Sequence, residues 1–298
     1  MTLVPRIVVV TRPTEYEELL ARHATRSQAE FFLRQRGQSL DDCVLRHERT
    51  KAALAQVQSA IPLDYRRNTV LRGELSRFRF EPEDTVVVVG QDGLVANVAK
   101  YLEGQPVIGV NPMPDVFDGV LVTHDPAGGA RALVRASRRA TTVVARTMVE
   151  VSLDDGQSLL ALNEVFVGAR THQSARYRVE ANGHSAVHSS SGVIVTTGTG
   201  STGWARSIHR ERASRIALPH PDERSLAFFA REVFPSIATS TELAEGRIAD
   251  GESLRVTSRM DGGVIFGDGM EDDRIAFDWG MRATVRVAGR ALRLVSAA

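Results

Sequence analysis

Two glycine-rich turns constrain this chain more than any other feature, because each directly follows an apolar run with the look of a buried strand. Gly90-Gln91-Asp92-Gly93 follows Thr85-Val86-Val87-Val88-Val89. Gly198-Thr199-Gly200-Ser201-Thr202-Gly203 follows Gly192-Val193-Ile194-Val195-Thr196. Glycines at strand ends let backbone N–H groups converge on an anion, most often a phosphate. Asp92 adds a carboxylate to the first turn, where a reacting hydroxyl could lose its proton. Two cradles and a carboxylate point to phosphoryl transfer more than to simple nucleotide binding.

The segments between these turns set the fold class. Up to residue 118, short apolar runs alternate with helical patterns. Ile7-Val8-Val9-Val10 reads as a strand covered on both faces, followed by helical sequence from about Glu15 to Gln35 and from Asp41 to Ser59. Val70-Leu71, the Val86–Val89 run, a helix around Val95–Leu102 and Val107–Val110 continue the alternation. This predicts a doubly wound, mostly parallel α/β domain over residues 1–118. The character changes after about Gly119, giving a second domain over residues 119–298, and from Thr142 short β-branched runs dominate, separated by Asp155-Gly156, Asn182-Gly183, Asp250-Gly251 and Gly262-Gly263. Such pairs are hairpin signals, so the second part reads as an antiparallel β domain. Helical breaks are expected after Thr202 and around Ser225–Val233.

Composition narrows the setting. A net charge of +1 gives no reason to expect nucleic acid or an acidic membrane as partner. Cys43 is the single cysteine, so no internal disulfide can form, and no zinc spacing is present. No apolar run approaches the ~20 residues that span a bilayer. The opening Met1–Arg6 stretch leads straight into a strand without the pattern of a signal peptide, so a cytoplasmic enzyme is expected.

Gly198-x-Gly200-x-x-Gly203 matches the dinucleotide fingerprint in letters only. A Rossmann unit needs a parallel βαβ setting with an acid ~20 residues on, and the surroundings here read as antiparallel. The hydroxyls of Thr199, Ser201 and Thr202 are more informative, since they can bond a ribose or phosphate at the start of a helix. One of them alone would suffice as a helix cap. Asn163-Glu164 interrupts the apolar stretch Leu159–Val167, so one of the two side chains turns inward and needs a partner. An Asn so placed can read a purine edge. His172, His184, His188, His209 and His220 lack ligand spacing and read as surface or packing residues. Asp268, Glu271, Asp272 and Asp273 read as a solvated acidic turn without EF-hand spacing. No P-loop and no protein-kinase signature is present.

In this order, Gly90-Gln91-Asp92-Gly93, Ala161-Leu162-Asn163-Glu164-Val165 and Thr199-Gly200-Ser201-Thr202-Gly203-Trp204 resemble the three motifs of the NAD kinases, namely Gly-Gly-Asp-Gly, an Asn-Glu pair and Thr-Gly-Ser-Thr-Ala-Tyr. Ala161–Gly168, Ser190–Gly200, the early Arg46–Lys51 stretch and the late Met260–Gly263 resemble the mitochondrial-type branch. The resemblance implies an α/β domain, a β domain and an active site between them. It implies transfer of a phosphoryl group from Mg-ATP, or from polyphosphate, to the adenosine ribose 2′-hydroxyl of NAD. Asp92 would be the base or hydroxyl-orienting carboxylate, with Gly90, Gln91 and Gly93 forming the phosphate turn. Asn163 and Glu164 would hold the dinucleotide, while Thr199, Gly200, Ser201, Thr202 and Ser207 line its adenosine half and Trp204 stacks on a base. Mg²⁺ would arrive with ATP, with no protein-built metal site, and a homodimer or larger homo-oligomer is implied. Two positions depart from the pattern. Gln91 replaces the second glycine, where a residue at positive φ would be costly and would crowd the turn. Leu94 replaces a Thr. A changed turn also fits a kinase of another small hydroxyl compound, such as a sugar or nucleoside, or a nucleotide-binding module without turnover.

Overall fold

The computed structural model describes residues 5–137 and 141–297, so the expectation for Met1–Val4 lies outside the described residues. The chain divides into two compact units, Met1–Val144 with Arg293–Ala298, and Ala145–Leu292. The sequence pattern changes at residue 118, whereas the units divide at residue 144.

In the first unit, β1 (Arg6–Thr11), α1 (Glu15–His23), α2 (Arg26–Arg34), α3 (Leu40–Ser59), β2 (Arg66–Leu71), β3 (Thr85–Val89), α4 (Asp92–Ala99), β4 (Pro106–Val110) and α5 (Pro126–Ser137) follow in order. The strands run β2-β1-β3-β4, all parallel. Every residue of β3 is buried, as expected of a strand covered on both faces. Ile7, Val9, Val87, Val89, Ile108 and Val110 pack against Ala53 and Val57 of α3 and Ala132 and Leu133 of α5. The single helical stretch expected over Glu15–Gln35 is two helices. Ala24 takes a positive φ of 60°, and Thr25 then caps α2 by accepting the Gln28 N–H.

The second unit continues with β5 (Val143–Leu153), β6 (Ser158–Ala161), β7 (Glu164–Ala169), β8 (Ala175–Ala181), β9 (His184–Ser190), β10 (Val193–Thr196), α6 (Trp204–Glu211), β11 (Ser225–Ala230), β12 (Glu245–Ala249), β13 (Leu254–Ser258), β14 (Gly263–Gly267), β15 (Ile275–Ala276) and β16 (Arg282–Val295). The last residues of β16, Arg293 and Leu294, belong to the first unit and pair in parallel with β4. One sheet of the second unit has the order β16-β13-β8-β9, with β5 on β16 and β6 on β5. The other is β12-β11-β10-β7-β14-β15, antiparallel throughout. Their facing sides share one core, with Val165, Val167, Val195 and Phe228 from the second sheet and Tyr177, Val179, Val256 and Val285 from the first. The far side of the second sheet is also covered, where Phe166, Ile194 and Phe229 pack on Ala205 and Ile208 of α6. The architecture is therefore the expected one, a mostly parallel α/β sheet and an all-antiparallel β sheet.

A second element differs. Ser225–Ala230, expected to be helical, is strand β11, with all six residues buried between β10 and β12. Both of its faces are covered, so it lacks the apolar-polar alternation that marks a half-exposed strand. Among the described residues, no helix is long and apolar enough to cross a membrane.

Candidate active site

In the first unit, the Gly90–Gly93 turn joins β3 to α4 at the carboxyl ends of the parallel strands, where open α/β sheets bind ligands. Gln91 sits at the N-cap of α4 with φ −104° and ψ 165°, an ordinary extended conformation. The expected strain at position 91 is therefore absent, and the correction is physical, since any L-residue adopts this backbone. The glycines on either side also have no positive φ. A Cβ on Gly90 would meet the Leu94 side chain at 3.1 Å, while one on Gly93 would meet nothing within 4 Å. Leu94 thus fills the space over the turn. The Gln91 side chain points to the end of β1, where its Oε1 accepts a hydrogen bond from Arg12 Nη2 at 3.2 Å. Arg12, Arg46, His47, Thr50, Gln91 and Met113 line a cavity of ≈ 160 Å³.

The basic stretch on α3 is tied down around this cavity. Arg46 pairs with Glu15 at 2.6 Å and Lys51 with Glu17 at 2.6 Å, and Arg49 is bonded to Asp115. Nδ1 of His47 bonds the Thr14 hydroxyl at 2.7 Å.

Asp92 opens α4 and its carboxylate accepts three backbone N–H groups, from Val120 at 2.9 Å, Leu121 at 2.8 Å and Val122 at 2.9 Å. It anchors the segment that crosses over β4. Gly109 of β4 makes room for that crossing, since a Cβ there would lie 2.1 Å from the Leu121 carbonyl oxygen. Buried Asn111 shapes the stretch before it, donating to the Phe117 carbonyl and accepting from the Met113 N–H. A carboxylate has about four lone-pair positions, so one on Asp92 Oδ2 is left for a further donor.

In the second unit, Asn163 and Glu164 do not lie within one strand. β6 ends at Ala161 and β7 begins at Glu164, and Leu162-Asn163 forms the corner between them. Asp268 holds that corner, accepting the N–H groups of Leu162 at 2.8 Å, Asn163 at 2.7 Å and Glu164 at 3.4 Å. Its backbone φ is +52°, which Asp tolerates better than most residues. The reading of Asp268 as one of a group of solvated acids is thereby corrected. Glu271 and Asp272 are exposed in a short helical turn, whereas Asp268 organises the site. Burial, and then the charge of Asp268, push the Glu164 carboxyl up to about 7.

The second glycine-rich turn packs onto this same corner. Thr197 donates through Oγ1 to the Leu162 carbonyl at 2.6 Å and accepts the N–H groups of Thr199 and Gly200 at 3.1 and 3.3 Å. The Asn163 carbonyl accepts the Thr197 N–H at 2.9 Å. Gly200 is dictated by this approach, because a Cβ would stand 2.2 Å from the Asn163 carbonyl oxygen. Gly198 is dictated by His220-Pro221, whose backbone would lie 2.0 Å from a Cβ. Close packing of the chain therefore accounts for both glycines, and the hydroxyls carry the ligand argument.

The hydroxyls divide clearly. Ser201 Oγ donates to the Thr197 carbonyl at 2.9 Å and Thr202 Oγ1 to the Thr199 carbonyl at 3.1 Å. Thr199, only 4% exposed, has a buried Oγ1 with no hydrogen-bond partner. An unpaired buried hydroxyl is costly and calls for an explanation, of which a ligand is one. Ser207 is exposed on α6. Trp204 lies on the α6 side of its sheet, stacked on Phe166 with centroids 6.0 Å apart and with the Arg231 guanidinium 4.7 Å from its ring. The structure thus gathers Asn163, Glu164, Thr199, Gly200, Ser201 and Thr202 in the second unit, and Gly90, Gln91, Asp92 and Gly93 in the first. Sequence reasoning missed Asp268 and Thr197. The Asp268-Gly269 pair directly after β14 was the available signal for the first, and the hydroxyl preceding the Gly-Thr-Gly run for the second.

Among the described residues, no group of three or more His, Cys, Asp or Glu side chains could hold a metal ion.

No protein-family model matches the chain. It is similar to the NAD kinase of Rickettsia rickettsii, 26% identical over 132 residues, which is 42% of this chain and 50% of that protein. It is also similar to that of Hyphomonas neptunium, 29% identical over 144 residues, or 47% of this chain and 55% of that protein. The chain thus spans about half the length of the curated relatives it matches. Two solved structures match along nearly all of it. An NAD kinase from Archaeoglobus fulgidus in complex with ATP has a TM-score of 0.58 at 17% identity, covering 99% of this chain and 94% of that one. The yeast NADH kinase complexed with NADH has a TM-score of 0.61 at 13% identity, covering 98% and 84%. The fold is that of the NAD kinases. By distant sequence similarity and by fold, the chain is NAD kinase-like.

Proposed function

We propose that this protein is a phosphotransferase that moves the γ-phosphoryl group of ATP to the adenosine ribose 2′-hydroxyl of NAD, giving NADP and ADP. The observation that carries the proposal is the corner at Asn163-Glu164. Three separate stretches of sequence converge there, residues 162–164, 197–200 and Asp268, and one of them carries the buried Thr199 hydroxyl without a partner. Those residue types suit a ribose and an adenine, with Asn163 for a purine edge, and Glu164 and Thr199 for hydroxyls.

In the reaction the 2′-oxygen forms a bond to the γ-phosphorus as the bond to the β–γ bridging oxygen breaks, and ADP leaves with that oxygen. The hydroxyl proton needs an acceptor. The remaining lone-pair position on Asp92 Oδ2 supplies one, and it orients the hydroxyl for in-line attack. Phosphoryl transfer depends chiefly on positioning and charge stabilisation. Arg12, held by Gln91, offers a guanidinium to phosphate oxygens, and the Gly90–Gly93 turn offers N–H groups. A Mg²⁺ ion arriving with ATP would supply charge neutralisation for the transferred group. The donor is ATP or polyphosphate. Ala161–Gly168 and Ser190–Gly200 support a place in the mitochondrial-type branch, and the family resemblance implies a homo-oligomer.

The test is a substrate panel with Mg-ATP, comprising NAD, NADH, nucleosides and common sugars and followed by ADP release. ADP formation with NAD and not with the sugars supports the proposal. ADP formation only with a sugar or nucleoside replaces it with another kinase, and binding without turnover replaces it with a nucleotide-binding module.

A further inference from the structure

The outward face of β8, β13 and β16 carries a cationic concavity that the proposed reaction does not use. Along β8 and β13 the buried residues Tyr177, Val179, Leu254 and Val256 alternate with Arg178, Glu180, Arg255 and Thr257. In the pairing register, Thr257 stands opposite Arg178 on one side and Arg282 on the other. Two strand spacings therefore separate those arginines, roughly 10 Å between backbones, a span that two long guanidinium arms can close on one oligophosphate. Arg255 stands in the neighbouring row, opposite Glu180 and Thr284. Arg259 follows β13, and Trp279, 64% exposed, stands beside it in the lining. The concavity measures ≈ 780 Å³, within the range of roughly 300–1,000 Å³ typical of small-molecule sites.

Among the described residues, the guanidinium groups of these four arginines, gathered in one lining, have no hydrogen-bond or ion-pair partner. Elsewhere in the same unit Arg224 pairs with Asp250 at 2.6 Å and Arg286 with Glu150 at 3.2 Å. Among the described residues, no carboxylate pairs with the side chains of Arg178, Arg255, Arg259 or Arg282. The two acids of the lining do not neutralise them. Asp154 accepts the Arg282 backbone N–H, and Glu180 makes no ion pair with Arg255 opposite it. Four guanidiniums against two carboxylates leave a local positive excess on a chain of net charge +1. A second copy of the chain is a poor occupant, since a two-fold contact through this face would set arginine against arginine. Guanidinium forks match phosphate oxygens, and an exposed indole offers a stacking surface for a base.

We propose that this face binds a nucleoside di- or triphosphate, through residues distinct from the catalytic and dinucleotide clusters. Arg178 and Arg282 grip the phosphates from either side of Thr257, Arg255 and Arg259 add charge, and Trp279 stacks on the base. The inference does not depend on the phosphotransferase reading.

The test uses Trp279 as reporter. The chain has only two tryptophans, so Trp204→Phe leaves Trp279 as the single indole. In that background, ADP should produce a saturable change in Trp279 emission, and adenosine should not. The double substitution Arg178→Gln with Arg282→Gln should raise the Kd for ADP at least tenfold, while Arg224→Gln, which alters a paired arginine, leaves it unchanged. An unchanged melting temperature shows that the double variant is folded. No emission change at millimolar ADP, an equal response to adenosine, or an unchanged Kd in the double variant would overturn the proposal. Binding of a short RNA oligomer more than a hundredfold tighter than ADP would also overturn it, by making the face a nucleic-acid surface.

Discussion

Replacing Glu164 by Gln should make the protein more stable at pH 8 and change little at pH 4.5. The Glu164 carboxyl titrates at about 7 in the folded chain, against an ordinary value of 4.5, because burial and the neighbouring Asp268 both disfavour its charged form. Between those two values the folded state holds a proton that the unfolded chain has released. Stability therefore falls as pH rises from about 4.5 to about 7, and levels off above. A displacement of about 2.5 pH units at about 1.36 kcal/mol each sets the ceiling near 3 kcal/mol. Glu164→Gln removes the ionisation, so the variant should gain up to about 3 kcal/mol over wild type at pH 8. Urea denaturation of both proteins at pH 4.5, 6 and 8 measures the difference. Subtracting variant from wild type cancels His124 and His188, whose burial holds them below the usual imidazole range and makes them contribute with the opposite slope. A difference that does not grow with pH, or that favours wild type at pH 8, would refute the desolvation argument.

Three further outcomes follow from the geometry. Asp92→Asn should lower kcat by about 10²-fold or more and also lower the melting temperature, because the amide cannot accept all three N–H groups of residues 120–122; near-normal kcat in steady-state assays would remove Asp92 from the chemistry. Thr199→Val should stabilise the free protein by about 1–3 kcal/mol, by deleting an unpaired buried hydroxyl, while raising KM for NAD; calorimetric unfolding with and without NAD reads both, and unchanged KM would separate the hydroxyl from the ligand. Gln91→Gly releases Arg12 without relieving backbone strain, since φ is −104°, so KM for ATP should rise or hold in initial-rate assays; a clear fall in KM would mean that the glutamine obstructs the donor.

The sequence made the two-part architecture readable because its signals are local. A fully apolar Val86–Val89 run before a glycine turn marks a parallel strand, and Asn182-Gly183 marks the β8–β9 hairpin. Ser225–Ala230 escaped because its environment, not its pattern, makes it a strand, with the shared core on one face and α6 on the other. The candidate site was legible where residue type carries the chemistry, as in Asn163, Glu164 and Thr199. It was not legible where a side chain acts on distant backbone. Asp92 reaches Val120–Val122, and Asp268 reaches Leu162–Glu164 across more than a hundred residues. Nor could the glycines be weighed from sequence alone. Gly198 and Gly200 answer to backbones that pass so close that a Cβ would stand 2.0 and 2.2 Å from them, contacts that only the fold creates.

The most direct test of the central claim is product identification. Purified protein incubated with Mg-ATP and NAD should form NADP phosphorylated at the adenosine ribose 2′-hydroxyl, in equal amount to ADP, as resolved by phosphorus NMR or mass spectrometry. ADP without NADP, or no turnover by a folded protein that binds NAD, would contradict it.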